Sequence, residues 1–122
     1  MQVGETIENY LETIFILLKE QSVIRSIDVV RKMGYSKPTI SVMMKQLRES
    51  AFIEMDESGY ITLTDTGLEI AERTYERHVM LTKILIGLGV DEEVARDDAC
   101  KIEHNLSKES FACIKEYYLK NK

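Results

Sequence analysis

The chain has 122 residues, 44% of them hydrophobic and 30% charged. It can build one core or two small ones, and its composition excludes an intrinsically disordered polymer. No apolar run approaches the roughly 20 residues that span a bilayer, and the opening MQVGETIENY has no basic start or apolar core of a secretory leader. With only two cysteines, Cys100 and Cys113, a disulfide framework is excluded and the expected location is the cytoplasm, with no membrane partner.

The formal net charge of −5 argues, taken whole, against a nucleic acid partner. Its distribution argues otherwise. From Ser22 to Met55 six basic residues face three acidic ones, a net of +3, whereas from Asp91 to Glu109 seven acids face three bases, a net of −4. One half is suited to phosphate and the other to a cation or a partner.

In chain order, Ile7, Leu11, Ile14, Phe15 and Leu18 form a helical stripe over residues 5–20, with Glu8 and Glu12 placed early, near the positive helix end. Ser26 is the expected N-cap of a short helix over about residues 27–33 that turns Val29, Val30 and Met33 inward, and Gly34 supplies the left-handed turn that ends it. Ser36 caps a third helix, with Pro38 in its first turn and Ile40, Met43, Met44 and Leu47 following. Two helices joined by a glycine turn are a helix-turn-helix pattern. Phe52-Ile53-Glu54 and Tyr60-Ile61-Thr62-Leu63 flank the polar turn Asp56–Gly59 and read as a small hairpin, or wing. Thr64-Asp65-Thr66-Gly67 caps a long helix over about residues 66–87, which Gly87 and Gly89 break. Asp91-Glu92-Glu93 starts another helix and Ser107-x-x-Ser110 a last one. The expected fold is mainly α: an N-terminal winged helix-turn-helix of three helices and a hairpin (residues 1–70), then a helical metal-binding and dimerisation domain (residues 71–122).

In a helix-turn-helix the second helix enters the major groove and its first residues reach base edges. Here those residues are Ser36, Lys37, Pro38, Thr39, Ser41 and Val42. Lys37 and Lys45 suit phosphates, Thr39 and Ser41 suit phosphates or bases, and Pro38 and Val42 suit thymine methyls. Arg25 and Ser26 are further candidates for the DNA backbone. No Arg, Asn or Gln stands at the helix start, so DNA shape is expected to contribute to readout.

Cys100, Glu103 and His104 sit at i, i+3 and i+4 in a helical stretch, which at about 100° per residue puts a thiol, a carboxylate and an imidazole on one face. That is a donor set for a transition metal. Glu12 and His78 are further candidates, and the chain's only two histidines both fall in this set. Leu85, Leu88, Val90, Val94, Leu106 and Phe111 are candidates either for a dimer contact or for the internal core. Three rival readings stand beside the metal regulator: a winged-helix regulator that senses a small ligand or an oxidant through Cys100, a thiol enzyme pairing Cys100 with His78, and a winged-helix module that binds protein. The enzyme has least support, because no Gly-rich loop or oxyanion motif accompanies the pair, and we expect the chain not to be an enzyme.

The chain resembles the diphtheria toxin repressor / manganese transport regulator family of metal-dependent repressors over nearly its whole length. The resemblance is carried by Glu8-Asn9-Tyr10-Leu11-Glu12-Thr13-Ile14, Ser36-Lys37-Pro38-Thr39-Ile40-Ser41, Leu63-Thr64-Asp65-Thr66-Gly67, Arg77-His78, Gly89-Val90-Asp91-Glu92-Glu93 and Ala99-Cys100-Lys101-Ile102-Glu103-His104-Asn105-Leu106-Ser107. The last block is the most specific. The resemblance implies a homodimer that binds palindromic double-stranded operators when a divalent cation, Fe2+ or Mn2+, acts as corepressor; the thiolate of Cys100 also suits Zn2+ or Co2+. It implies metal ligands at Glu12, His78, Cys100, Glu103 and His104, and at Asn9, which stands where the manganese branch has Asp and the iron branch Met. Cys100 follows the iron branch, whereas Glu12 and His78 follow the manganese branch. Thr82 and Arg96 occupy positions where the iron branch has a Glu and a His, so its second site is not preserved.

Overall fold

The computed structural model describes residues 3–121. The elements run α1 (Glu5–Glu20), α2 (Ser26–Met33), α3 (Lys37–Glu49), β1 (Ile53–Met55), β2 (Ile61–Leu63), α4 (Asp65–Gly87), α5 (Glu92–Ile102) and α6 (Lys108–Asn121). They gather into two compact units whose division falls after Glu72, inside α4. The fold is the mainly helical one expected, a winged helix-turn-helix followed by helices. None of the described helices is long and apolar enough to cross a membrane.

In the first unit, Leu11 and Ile14 of α1, Val29 of α2 and Ile40, Met44 and Leu47 of α3 close on one core with Ile24, Ile53 and Ile61. Each such side chain is almost wholly removed from water, which stabilises the fold by about 1.5–3 kcal/mol apiece. The caps explain the element ends. Gly34 sits in the left-handed region (φ 76°) and its N–H returns to the Val30 carbonyl. Ser36 Oγ accepts the Thr39 N–H at the start of α3, with Pro38 in the first turn. At α2 the boundary differs from the expected one. Ser26 is the first helical residue and Arg25 the N-cap, because the Asp28 carboxylate turns back to accept the Arg25 N–H at 2.8 Å.

The wing is an antiparallel pair in register Ile53–Leu63, Glu54–Thr62 and Met55–Ile61. Phe52 and Tyr60 fall just outside it. Asp56 Oδ1 accepts the N–H groups of Ser58 and Tyr60 and so shapes the turn. The Ile61 N–H donates to the Ile24 carbonyl at 2.9 Å, which docks the segment before α2 on the hairpin. Thr64 Oγ1 accepts the Gly67 N–H and donates to the Ala51 carbonyl. An added Cβ at Gly67 would lie 2.0 Å from the Phe52 carbonyl oxygen, so only glycine fits the first turn of α4.

The second unit has fewer buried apolar side chains, with Leu81, Ala95, Ala99 and Phe111 inside. Asp91 caps α5 by accepting the Glu93 N–H, and Ser107 Oγ accepts the Ser110 N–H to start α6. Lys115 of α6 pairs with Glu76 of α4 at 2.8 Å. Ile86, Leu88, Val94, Tyr117 and Leu119 remain exposed. Of the six residues weighed as dimer contact or core, Phe111 belongs to the interior while Leu88 and Val94 face outward.

Candidate metal centre and nucleic acid interface

The centre forms where α5 runs out. The helix ends at Ile102, so Cys100 lies in its last turn while Glu103 and His104 stand in the turn that leads to α6. The expectation of three ligands within one helix therefore needs correcting. Glu103 nevertheless keeps helical backbone angles (φ −57°, ψ −27°), and its N–H still returns to the Ala99 carbonyl. The i, i+3, i+4 geometry survives for that reason. Donor atoms of Cys100, Glu103 and His104 lie within 4.8 Å of one another.

Glu103 is the pivot. Its side chain is wholly buried and that of His104 is 1% exposed. Glu103 Oε2 meets His78 Nδ1 at 3.0 Å, and Glu103 Oε1 stands 3.3 Å from His104 Nε2. Oε1 is removed from water without a hydrogen bond of proper geometry. A carboxylate oxygen in that state is costly unless a cation or a donor meets it. Cys100 is a free cysteine and is exposed to solvent. Around a tetrahedral ion with bonds of roughly 2.0–2.3 Å, two donors stand about 3.5 Å apart. From a spread within 4.8 Å, the three donors here would draw together on binding. By donor chemistry, burial and unmet oxygen, these residues fit a divalent transition metal.

His78, on α4, is thus brought to the cluster through Glu103. Asn9 and Glu12 belong to the first unit. Glu12 is buried in the middle of α1, not near its start, where the first-turn acids are Glu5 and Glu8. Asn9 lines a cavity of about 240 Å³ with Thr6, Tyr10, Met33, Tyr35, Thr39 and Met43, and its carbonyl accepts from Thr13 Oγ1. Burial, with a smaller contribution from Tyr35, raises the pKa of Tyr10 above the ordinary phenol value.

One residue of the site escaped the sequence reading as a contributor. Arg77, nearly buried, donates from Nη1 to the Glu103 carbonyl at 3.0 Å and to the Leu106 carbonyl at 2.7 Å. A signal was available, since Thr74, Arg77 and Leu81 form a buried stripe at helical spacing with a cation in its middle.

On the first unit, Ser36, Lys37, Pro38, Thr39, Ser41, Val42 and Lys45 are all exposed on α3 and its cap. Val42 is 59% exposed, a large apolar side chain left on an otherwise polar face. Arg25 is exposed and its guanidinium lies 4.6 Å over the Tyr60 ring, which ties the α2 cap to the wing, and Ser26 is half-buried beside it. Tyr35, in the turn before α3, is 52% exposed and did not figure among the expected contacts.

Comparison with known proteins covers both halves of the chain. Residues 2–64 match the iron dependent repressor N-terminal DNA binding domain, and residues 64–121 match the iron dependent repressor metal binding and dimerisation domain. The transcriptional regulator MntR of Escherichia coli is 37% identical over 87% of this chain and 68% of its own length. A helix-turn-helix-type transcriptional regulator of Methanocaldococcus jannaschii is 30% identical over 98% of both chains. Among solved structures, a manganese-dependent transcriptional repressor in complex with manganese superposes with a TM-score of 0.82 at 26% identity, over 91% of this chain and 51% of that one. The chain thus spans about half the length of that solved relative. It belongs to the iron-dependent repressor family, the metal-dependent DNA-binding transcription regulators of the diphtheria toxin repressor and manganese transport regulator kind.

Proposed function

We propose that this chain is a homodimeric transcriptional repressor of metal-uptake genes, working in the cytoplasm without enzymatic activity, and that a divalent cation, Fe2+ or Mn2+, is its corepressor. The observation that carries this reading is the convergence of Cys100, Glu103 and His104 around a buried carboxylate oxygen without a hydrogen bond. Glu12, His78, Cys100, Glu103 and His104 are the assigned ligands, with Asn9 as a neutral amide oxygen beside them. The bound cation supplies positive charge that lets these anionic and imidazole donors share one site. Glu103 orients the imidazoles of His78 and His104, and Cys100 gives up its proton to bind, so affinity rises with pH. The thiolate draws the site toward Fe2+, Zn2+ or Co2+, while Glu12 and Asn9 supply the oxygen donors that Mn2+ prefers.

The assigned ligands are drawn from α1, α4 and the α5–α6 turn. In the dimer, the two α3 helices must stand about one DNA turn apart, roughly 34 Å, to read two half-sites of a palindrome. The cation favours whichever arrangement completes its ligand shell, and that difference in affinity shifts the population. Ser36, Lys37, Pro38, Thr39, Ser41, Val42 and Lys45 are assigned to the major groove, and Arg25 and Ser26 to the backbone. The exposed Leu88, Val94 and Tyr117 of the second unit suit a partner subunit.

The test is binding to a duplex selected from a random library, run in parallel with chelator, Mn2+, anaerobic Fe2+, Zn2+ and Co2+. Tight binding with at least one metal and weak binding with chelator is expected; equal binding throughout refutes the reading. The exposure of Cys100 favours one second reading, an oxidant-sensing regulator. That reading requires DNA affinity to follow reductant rather than metal in the same assay.

A further inference from the structure

We propose that Arg77 is the positioning residue of this metal centre: from α4 it grips the backbone of the turn that presents Glu103 and His104. The proposal rests on the metal reading above and deepens it.

A helix end leaves its last carbonyls without intrahelical partners. At the end of α5 the Ala99 carbonyl is taken by the Glu103 N–H at 2.9 Å. The Lys101 carbonyl is taken by Asn105 Nδ2 at 2.7 Å and the Ile102 carbonyl by the Asn105 N–H at 2.9 Å. Two further carbonyls of this turn, those of Glu103 and Leu106, both accept from Arg77 Nη1. The guanidinium lies 5.2 Å from the centre of the Phe111 ring. Phe111 is itself buried in the first turn of α6. Arg77 thus ties α4, the ligand turn and α6 together with one planar group. Its positive charge also stands at the negative end of α5.

The neighbouring residue completes the grip. His78 Nδ1 meets the Glu103 carboxylate at 3.0 Å while Arg77 holds the Glu103 carbonyl. The same residue is therefore fixed at its backbone and at its side chain from one turn of α4. Without Arg77 the turn loses two hydrogen bonds at the root of the Glu103–His104 pair. Both donors then lose the backbone restraint that holds them in place for a metal. Groups that orient metal ligands typically matter 10–100-fold in affinity.

The experiment is an anaerobic Co2+ titration of the reduced full chain, reading both Kd and the thiolate-to-cobalt charge-transfer band. Arg77→Met is expected to weaken binding about 50-fold and to reduce the band. Arg77→Lys keeps the cation and one hydrogen bond, and is expected to fall between, about fivefold weaker than wild type. Leu81→Ala, a buried apolar truncation on the same helix, should lower the melting temperature while leaving Kd and spectrum within twofold of wild type. Arg77 variants that match the wild-type Kd and spectrum overturn the proposal, and Arg77→Lys alone decides it if the Met variant does not fold. A Leu81→Ala loss of affinity as large as that of Arg77→Met also overturns it, because the effect would then be general destabilisation. If the wild-type chain took up no cobalt, the parent reading would fail first, and that result is distinct from a wild type that binds beside variants that bind equally well.

Discussion

Substituting Glu103 by Gln removes the charge at the pivot of the proposed centre and little else. The side chain is wholly buried, and the amide keeps its shape and one acceptor oxygen for His78. The metal-free fold should therefore survive with a small change in stability. Metal binding should not, because a carboxylate between two imidazoles is replaced by a neutral group. A loss of about 100-fold in affinity corresponds to roughly 2.7 kcal/mol. Linkage turns that into a thermal readout. At a free metal concentration of 100 times the wild-type Kd, the wild type gains about 2.7 kcal/mol, while a variant weakened 100-fold gains only RT ln 2, about 0.4 kcal/mol. For a chain of this size, about 1 kcal/mol moves the melting temperature by roughly 4 °C. Metal should thus raise the wild-type melting point by about 10 °C and that of Glu103→Gln by about 2 °C. Differential scanning fluorimetry with and without Mn2+ or Co2+ measures both, and fluorescence anisotropy with the selected duplex should show that metal-stimulated binding needs about 100-fold more metal. Equal metal-induced shifts in the two proteins would refute the assignment of Glu103.

Three further outcomes follow from particular residues. Lys45→Ala should weaken DNA binding evenly across sequences and lower the slope of log K against log salt by about 0.9 for each phosphate that the lysine neutralises; an unchanged slope removes Lys45 from the interface. Gly67→Ala places a Cβ 2.0 Å from a backbone oxygen that cannot move freely. It should cost about 3 kcal/mol, the upper end of the overpacking range, and a melting point within 2 °C of wild type, on the scale of about 4 °C per kcal/mol, would contradict the packing argument. Burial raises the pKa of Tyr10 in the folded state, with Tyr35 adding to it. Its neutral form is thus favoured by folding, and that stability is complete below the free phenol pKa of about 10 and is lost as pH rises through the folded value. Urea midpoints of the metal-free protein from pH 9 to 11 should fall, and should fall less in Tyr10→Phe.

Much of the architecture was legible because it is written in local signals. Ser36, Gly34, Asp91 and Ser107 mark helix ends through hydrogen bonds that span no more than four residues, and all four act as expected. The wing was legible for the same reason, since Asp56 and Gly59 shape its turn from within. Ser26 misled because two local caps compete there, and the Asp28 carboxylate wins by closing on Arg25. Long-range pairings were not legible. The docking of Ile24 on Ile61 depends on a hydrogen bond across 37 positions. In the same way, Arg77 reaches carbonyls 26 and 29 residues away. The Cys100–Glu103–His104 spacing did announce a cluster, because Glu103 holds helical angles one residue beyond the helix end. The role of Glu103 as the hub between two histidines came only with the fold, which sets His78 against it.

The central claim is that metal and DNA binding are one coupled equilibrium. Coupling free energy is reciprocal, so whatever factor the metal adds to DNA affinity the DNA must add to metal affinity. The direct measurement is the metal Kd of the reduced dimer, taken with and without saturating selected duplex. DNA should tighten metal binding by the same factor by which metal tightens DNA binding, at least about tenfold, or 1.4 kcal/mol. A metal Kd that DNA leaves unchanged would contradict the claim.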